Sequence, residues 1–238
     1  MRLPRELLPW LTFRFRRASN DAPPTFFFHI PKCAGSSVWA SVYDIYGTRH
    51  VYHANSRRRR EKFVDLPRDA RLAFSAVGGH GPLKFFREHL GDMVRYHKIV
   101  TLRDPVDRAI SEYNYIRAQA SHPLNEEVSP QALREFAEKS LRPDRQVTLL
   151  TGRGDDVESA VEIVTRFFDD WAFSDGVGDL VQRLYRVTGV EPRPAMHKNK
   201  GVSGPRRGDL DAATLHLLQE RNRNDLALID ALKKRRAQ

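Results

Sequence analysis

The sequence is poor in the residues that build covalent or metal-braced scaffolds. Its 238 residues hold one cysteine, Cys33. No intrachain disulfide can form and no cysteine cluster can hold a metal, and a lone thiol suits a reducing compartment. There is no internal repeat, no low-complexity tract and no Cys/His spacing of metal-ligand type. Nor is there a G-x-S-x-G elbow or a G-x-G-x-x-G fingerprint, which removes the motif grounds for a solenoid, a serine hydrolase or a classical dinucleotide enzyme. Long apolar runs are missing too. Near the N-terminus Leu7-Leu8-Pro9-Trp10-Leu11 is broken by Pro9 and too short to cross a bilayer, and no small-residue cleavage site follows it. The expectation is a cytoplasmic, unsecreted chain. A peripheral membrane contact through Trp10, Phe13, Phe15 and the neighbouring arginines stays open, against a frayed or packed arm.

Acid is also in short supply, with 30 Asp and Glu against 40 Lys and Arg, a net charge of +10 and a pI near 10.0. That balance favours anionic ligands without choosing among nucleotide, acidic glycan, nucleic acid and membrane surface. The length suits one α/β domain. An arm over residues 1–24, ending in the Asp-Ala-Pro-Pro linker, is expected to lead into a single domain over 25–238.

The chain is organised around Phe26-Phe27-Phe28-His29-Ile30-Pro31-Lys32-Cys33-Ala34-Gly35-Ser36-Ser37. Thr25 to Ile30 shows no polar alternation, as in a parallel strand buried on both faces. A short turn follows, and from Ser36 to Tyr46 helical spacing runs up to the stop at Gly47. A helix N-terminus points free N–H groups and the positive end of its dipole at whatever lies beyond it. Lys32 adds a point charge and Ser36 and Ser37 add hydroxyls, so the stretch reads as a cradle for a terminal phosphoryl-type group. It is not the triphosphatase loop, where Lys follows the last Gly, because Lys32 precedes Gly35. An ordinary βα turn with a solvated lysine is the alternative.

Two further corners carry chemistry. Ala73 to Val77 reads as a second strand ending in Gly78-Gly79-His80-Gly81-Pro82. A histidine among glycines at a strand's carboxyl end lies where open α/β sheets bind ligands, and a neutral imidazole there can act as general base. A loop histidine with a structural hydrogen bond is the alternative. Lys98 to Leu102 reads as a third strand, running into Arg103-Asp104-Pro105-Val106-Asp107. Asp104 suits the N-cap and Pro105 the first helical position. Arg103 then stands at a second anion corner, with Ser111 about two turns into the helix. A salt bridge to Asp104 or Asp107 is the competing role for Arg103.

Elsewhere Thr48 to Arg71 reads as polar, its Arg57-Arg58-Arg59-Arg60 run as a solvated face, and His50 and His53 are not nominated. Helices are expected over Gln131 to Ser140, Val157 to Phe168, Leu180 to Thr188 and Asp211 to Arg236, with a short strand at Trp171 to Phe173.

HIPKCAGSS closely resembles the 5′-phosphosulfate loop of sulfotransferases that use 3′-phosphoadenosine 5′-phosphosulfate (PAPS), especially the carbohydrate, heparan 2-O-like branch. Cys33 stands where that branch usually has Thr. Arg103 and Ser111, in R-D-P-x-x-R-x-x-S-x-Y, resemble the 3′-phosphate motif of the same family. The His80 loop is similar to the segment whose histidine deprotonates the acceptor. Some relatives have His-x-His there, where this chain has Gly78 at the first position. The Arg145 to Gly152 segment resembles one that lies near the acceptor cleft.

The resemblance implies a three-layer α/β/α fold with a mostly parallel central sheet and a P-loop-like strand-loop-helix. It implies sulfuryl transfer from PAPS to an acceptor hydroxyl, on a carbohydrate by family analogy, leaving 3′-phosphoadenosine 5′-phosphate (PAP). The catalytic residues would be His80 and Lys32. The nucleotide would be held by Lys32, Cys33, Ala34, Gly35, Ser36, Ser37, Arg103 and Ser111, with Lys200 and Gly201 closing over it from a basic loop. No metal and no specific nucleic acid are expected. A non-enzymatic polyanion or nucleic-acid module and a nucleotide kinase on a related fold are the other readings.

Overall fold

The computed structural model describes residues 17–192 and 203–237. Five strands form its sheet: β1 (Thr25–Phe28), β2 (Val51–Ala54), β3 (Ala76–Gly79), β4 (His97–Leu102) and β5 (Asp170–Phe173). Their order is β2-β3-β1-β4-β5, and all four pairings are parallel. The central strand is β1, as its unbroken Phe run implied. Phe26 and Phe28 face one side and Phe27 the other, all three fully buried.

Helices cover both faces. On the Phe27 side lie α1 (Gly35–Tyr46), through Val38, Trp39, Val42 and Ile45, and a later helix, Val177–Thr188, through Leu180 and Leu184. On the other side Phe26 and Phe28 meet Phe63, Phe86, Leu149, Val161 and Leu228. These come from helices α2 (Arg57–Asp65), α3 (Leu83–Leu90), α5 (Arg145–Thr151), α6 (Val157–Glu162) and Arg223–Arg236. Between α3 and α5 in sequence, α4 (Pro105–Ala118) leaves the sheet and builds a satellite core with Val128, Phe136 and Leu218. This is the expected three-layer α/β/α fold with a parallel sheet.

Four expectations are corrected in detail. The polar stretch 48–71 contains β2, an edge strand whose middle residues, Tyr52 and His53, are only half-buried. With no two-sided burial it has no continuous apolar run to read. The strand expected at Ala73 to Val77 lies at Ala76–Gly79 and carries its two glycines into the sheet. A Cβ on Gly78 would lie 2.0 Å from the Phe27 carbonyl oxygen. Expected as one helix, Val157 to Phe168 is α6 followed by a wider-wound turn at 163–167. The last helix is two, Ala212–Arg221 and Arg223–Arg236, labelled α8 and α9 after α7 (Val177–Thr188). They part because Asp144, from another part of the chain, accepts from Asn224 N at 2.8 Å and Asp225 N at 3.1 Å, capping α9 at its own start.

Phe27 joins β1 to α1 through its ring, 5.3 Å from that of Trp39. Phe27→Ala is expected to lower unfolding stability by about 3–5 kcal/mol, the cost of a large core aromatic, read as a lower midpoint in urea with unchanged slope.

Candidate active site

All five strands are parallel, so their carboxyl ends share one rim, and ligands bind such sheets where the strand order reverses. Here β1 is flanked by β3 and β4, which puts the loops after these three strands side by side.

After β1 the chain turns through Lys32 (φ 70°) and Ala34 (φ 60°), both left-handed. Such strain in non-glycine residues costs on the order of 1 kcal/mol each and collects at ligand-binding loops. Ala34 is the N-cap of α1, and no side chain caps the helix. The first N–H groups of α1 therefore face the rim, with Ser36 exposed and Ser37 half-buried beside them. The Lys32 ammonium sits 3.8 Å over the Tyr115 ring. Burial holds its pKa down to about 8, with Glu112 pulling upward and Arg103 reinforcing the depression.

Arg103 closes the same rim from β4. Its Nη1 donates to the Lys32 carbonyl oxygen at 3.2 Å, so the two anion loops touch. Asp104 caps α4 as expected, accepting from Val106 N at 3.0 Å and Asp107 N at 3.2 Å. The carboxylate competition expected for Arg103 is met by another residue, since Arg207 reaches Asp104 at 3.0 Å. Ser111 is half-buried on α4. Lys200 and Gly201 lie outside the described residues.

Cys33 faces inward. Fully buried, its thiol donates to Gln146 Oε1 at 3.6 Å, so its side chain is directed to the core and not to the cleft. Burial pushes the thiol up to about 12, with the Arg108 charge pulling the other way. It is neither nucleophile nor metal ligand at neutral pH. Gln146, buried, also accepts from Arg103 N at 3.0 Å and donates to Arg103 O at 2.9 Å. One amide thus clamps both loops, from within the segment that sequence placed only loosely near the cleft.

His80 directly follows β3 beside this rim, in a cluster with two histidines that sequence passed over. Its ring centroid is 4.4 Å from that of His29 and 6.4 Å from that of His53. His53 stacks on Trp39 with centroids 3.9 Å apart, and Tyr43 Oη is 3.3 Å from His53 Nδ1. Burial lowers the His80 pKa to about 4. A backbone hydrogen bond at Asn55 opposes that shift, and the charges of Arg60, Lys32 and Arg145 add to it. His53 falls to about 3 and His29 falls well below the usual range, again chiefly through burial. All three are neutral at pH 7, the form a general base needs. His29 opens the HIPKCAGSS stretch, but sequence assigned it no role. Arg60, in the arginine run read as solvated, donates to the His80 carbonyl at 2.8 Å.

Among the described residues no group of three or more His, Cys, Asp or Glu is arranged to hold a metal ion, and no helix is long and apolar enough to cross a membrane. The loops define an α/β protein with two cationic side chains and a neutral imidazole at one rim of its sheet. The chain belongs to the sulfotransferase family, whose model, described as "Sulfotransferase family", matches residues 19–172. Among solved structures it is similar to the mouse sulfotransferase SULT7A1 complexed with PAP, at a TM-score of 0.48 and 15% identity, over 92% of this chain and 81% of that one. No curated protein matches it.

Two predictions follow from the loop geometry. A Cβ on Gly35 would lie 1.9 Å from His29 Nε2. Gly35→Ala is expected to displace the His29 ring and lower turnover at least tenfold, with the shift visible in a crystal structure of the variant. Lys32 loses its cation as pH rises through about 8, whereas phosphate groups, with a second pKa near 6, are already ionised there. Calorimetric PAP affinity should be flat between about pH 7 and 8 and weaken toward tenfold per unit above that. In Lys32→Arg the alkaline fall should vanish, since arginine stays charged.

Proposed function

We propose that the chain moves a sulfuryl group from PAPS to an acceptor hydroxyl, with a sugar hydroxyl as the acceptor class, and releases PAP. The observation that carries this reading is the 3.2 Å contact between the Arg103 guanidinium and the Lys32 carbonyl. It supports a reading in which one nucleotide spans both loops, its 5′-phosphosulfate at one and its 3′-phosphate at the other. The donor set suits such a group: an uncapped helix N-terminus, an ammonium, and a guanidinium with further N–H donors beyond the one used. Arg103 and Ser111 would take the 3′-phosphate, and the loop from Lys32 to Ser37 the 5′ end.

In the reaction, the acceptor oxygen attacks sulfur in line with the departing phosphate oxygen. His80 takes the hydroxyl proton, and burial keeps it neutral and ready to do so. Lys32 and the first N–H groups of α1 stabilise charge on the leaving phosphate and the equatorial sulfuryl oxygens. Positioning and electrostatics carry the rate, as in phosphoryl transfer.

The test supplies sulfur-labelled PAPS with a panel of glycans and small alcohols and follows the label. His80→Ala and Lys32→Ala should each lower kcat by roughly 10²-fold or more. His80→Ala should keep PAP affinity, and Arg103→Ala should lose it. Label transfer to no acceptor, with steep salt-dependent nucleic-acid binding and no preference for PAP, would overturn the proposal in favour of a polyanion-binding module.

A further inference from the structure

We propose that Tyr115 is the positioning residue for Lys32: the face of its ring holds the Lys32 ammonium at the rim by cation–π attraction, in the place where it meets the phosphosulfate end of the donor. The proposal rests on the reading that Lys32 binds the donor, and its evidence lies in how α4 presents one aromatic ring to the loop after β1.

Helical spacing puts the ring there. The core side of α4 is taken by Tyr113 and Ile116, both buried in the satellite cluster. Tyr115 falls on another side with Glu112, Ser111 and Arg108, which precede it at the spacings that share a helix face. It is 38% exposed, so core packing does not account for it. What it covers is Lys32. The ammonium lies 3.8 Å from the ring centroid, well inside the roughly 6 Å over which an aromatic face attracts a cation. The ring packs at 84° against the His122 imidazole, 5.8 Å between centroids. His122 is fixed in turn, its Nδ1 accepting from Leu124 N at 3.2 Å. At the backbone end of Lys32, the carbonyl accepts from Arg103 Nη1 at 3.2 Å. Both ends of the residue are therefore held, the carbonyl by a guanidinium and the ammonium by a ring.

A ring suits this task better than a carboxylate. A carboxylate bonded to the ammonium would repel an incoming phosphosulfate and would have to be displaced by it. Glu112 is the carboxylate that acts on Lys32, and its Oε2 accepts from Arg108 Nη1 at 2.8 Å. The ring attracts the cation through its quadrupole and adds no net charge, so it steadies the ammonium without competing for the anion. It engages one side of a group that has three N–H donors to share. The other groups facing Lys32 are Arg103 after β4, the buried Cys33 thiol of its own loop, and the neutral His29 and His80. Burial and the Arg103 charge push the ammonium toward losing its proton, and Glu112 opposes them. The ring face acts in the same direction as Glu112, because it favours the charged form.

The test reads the Lys32 side chain by NMR of lysine-labelled protein, with calorimetric PAP binding beside it. Signals of Lys32, assigned by their loss in Lys32→Arg, should show the upfield ring-current displacement of protons held over an aromatic face. Tyr115→Phe, which keeps the face, should keep that displacement and the Lys32 titration midpoint. Tyr115→Leu, which keeps apolar cover without a π face, should abolish the displacement and lower the midpoint by roughly 0.5–1 pH unit. With the wild-type midpoint at about 8, PAP affinity at pH 8 should then fall roughly two- to fivefold in Tyr115→Leu and be restored in Tyr115→Phe. Adding PAP to the wild-type protein should leave the displacement in place. A wild-type spectrum with no upfield displacement would overturn the proposal, as would a Tyr115→Leu variant with the wild-type midpoint. Loss of the displacement on adding PAP would overturn it too, since the ring would then part from the ammonium when the ligand arrives. The displacement and the midpoint are read on the unliganded protein. A wild-type chain that bound no PAP would therefore remove the donor reading, while the ring contact stood or fell on its own signals.

Discussion

The site depends on one buried amide. Gln146 grips the Arg103 peptide through both its N–H and its carbonyl, as a neighbouring strand would, and accepts the Cys33 thiol with the same oxygen. The loops that carry Lys32 and Arg103 arise from different strands, and their cations repel each other. Beyond the bond from the Arg103 guanidinium to the Lys32 carbonyl, it is the amide that joins them. The amide is itself fixed, because Asp225 accepts from Gln146 N at 3.0 Å and Val147 N at 2.8 Å at the start of α5. Asp225 is set by α9, whose own start Asp144 caps. The geometry of the site thus runs back through two capped helix ends to the C-terminal helix pair.

Charge is handled in the opposite way a few ångströms off. The protein carries +10 overall, yet the imidazoles beside the rim are neutral, because burial and nearby cations both disfavour protonation. An anionic donor arriving at the loops would relieve the repulsion between Lys32 and Arg103 and temper the field at His80. The rim holds like charges together, an arrangement that suits a phosphate-bearing ligand. Fully buried Arg108 extends this field inward, paired with Glu112 at 2.8 Å and within reach of Asp225 and Cys33.

Particular elements mark how far sequence carried. The β1 run, the Asp104-Pro105 cap and the stop at Gly47 were legible because each rests on contacts a few residues apart. So were Lys32 and Arg103, since their loops follow directly from those elements. The edge strand β2 was not, because half-burial leaves too weak a pattern. The break at Asn222 was not, because the cap that makes it comes from Asp144. Cys33 could be counted but not oriented.

By itself, then, the sequence determined a parallel α/β domain with two cationic loops at strand ends and a histidine near them, because caps, turns and burial periodicity act over short stretches of chain. Tertiary structure alone decided that the loops touch, that Gln146 joins them, and that His29 lies against His80. Those pairings span 71, 113 and 51 residues. They follow from strand order and register, which no local run of residues encodes.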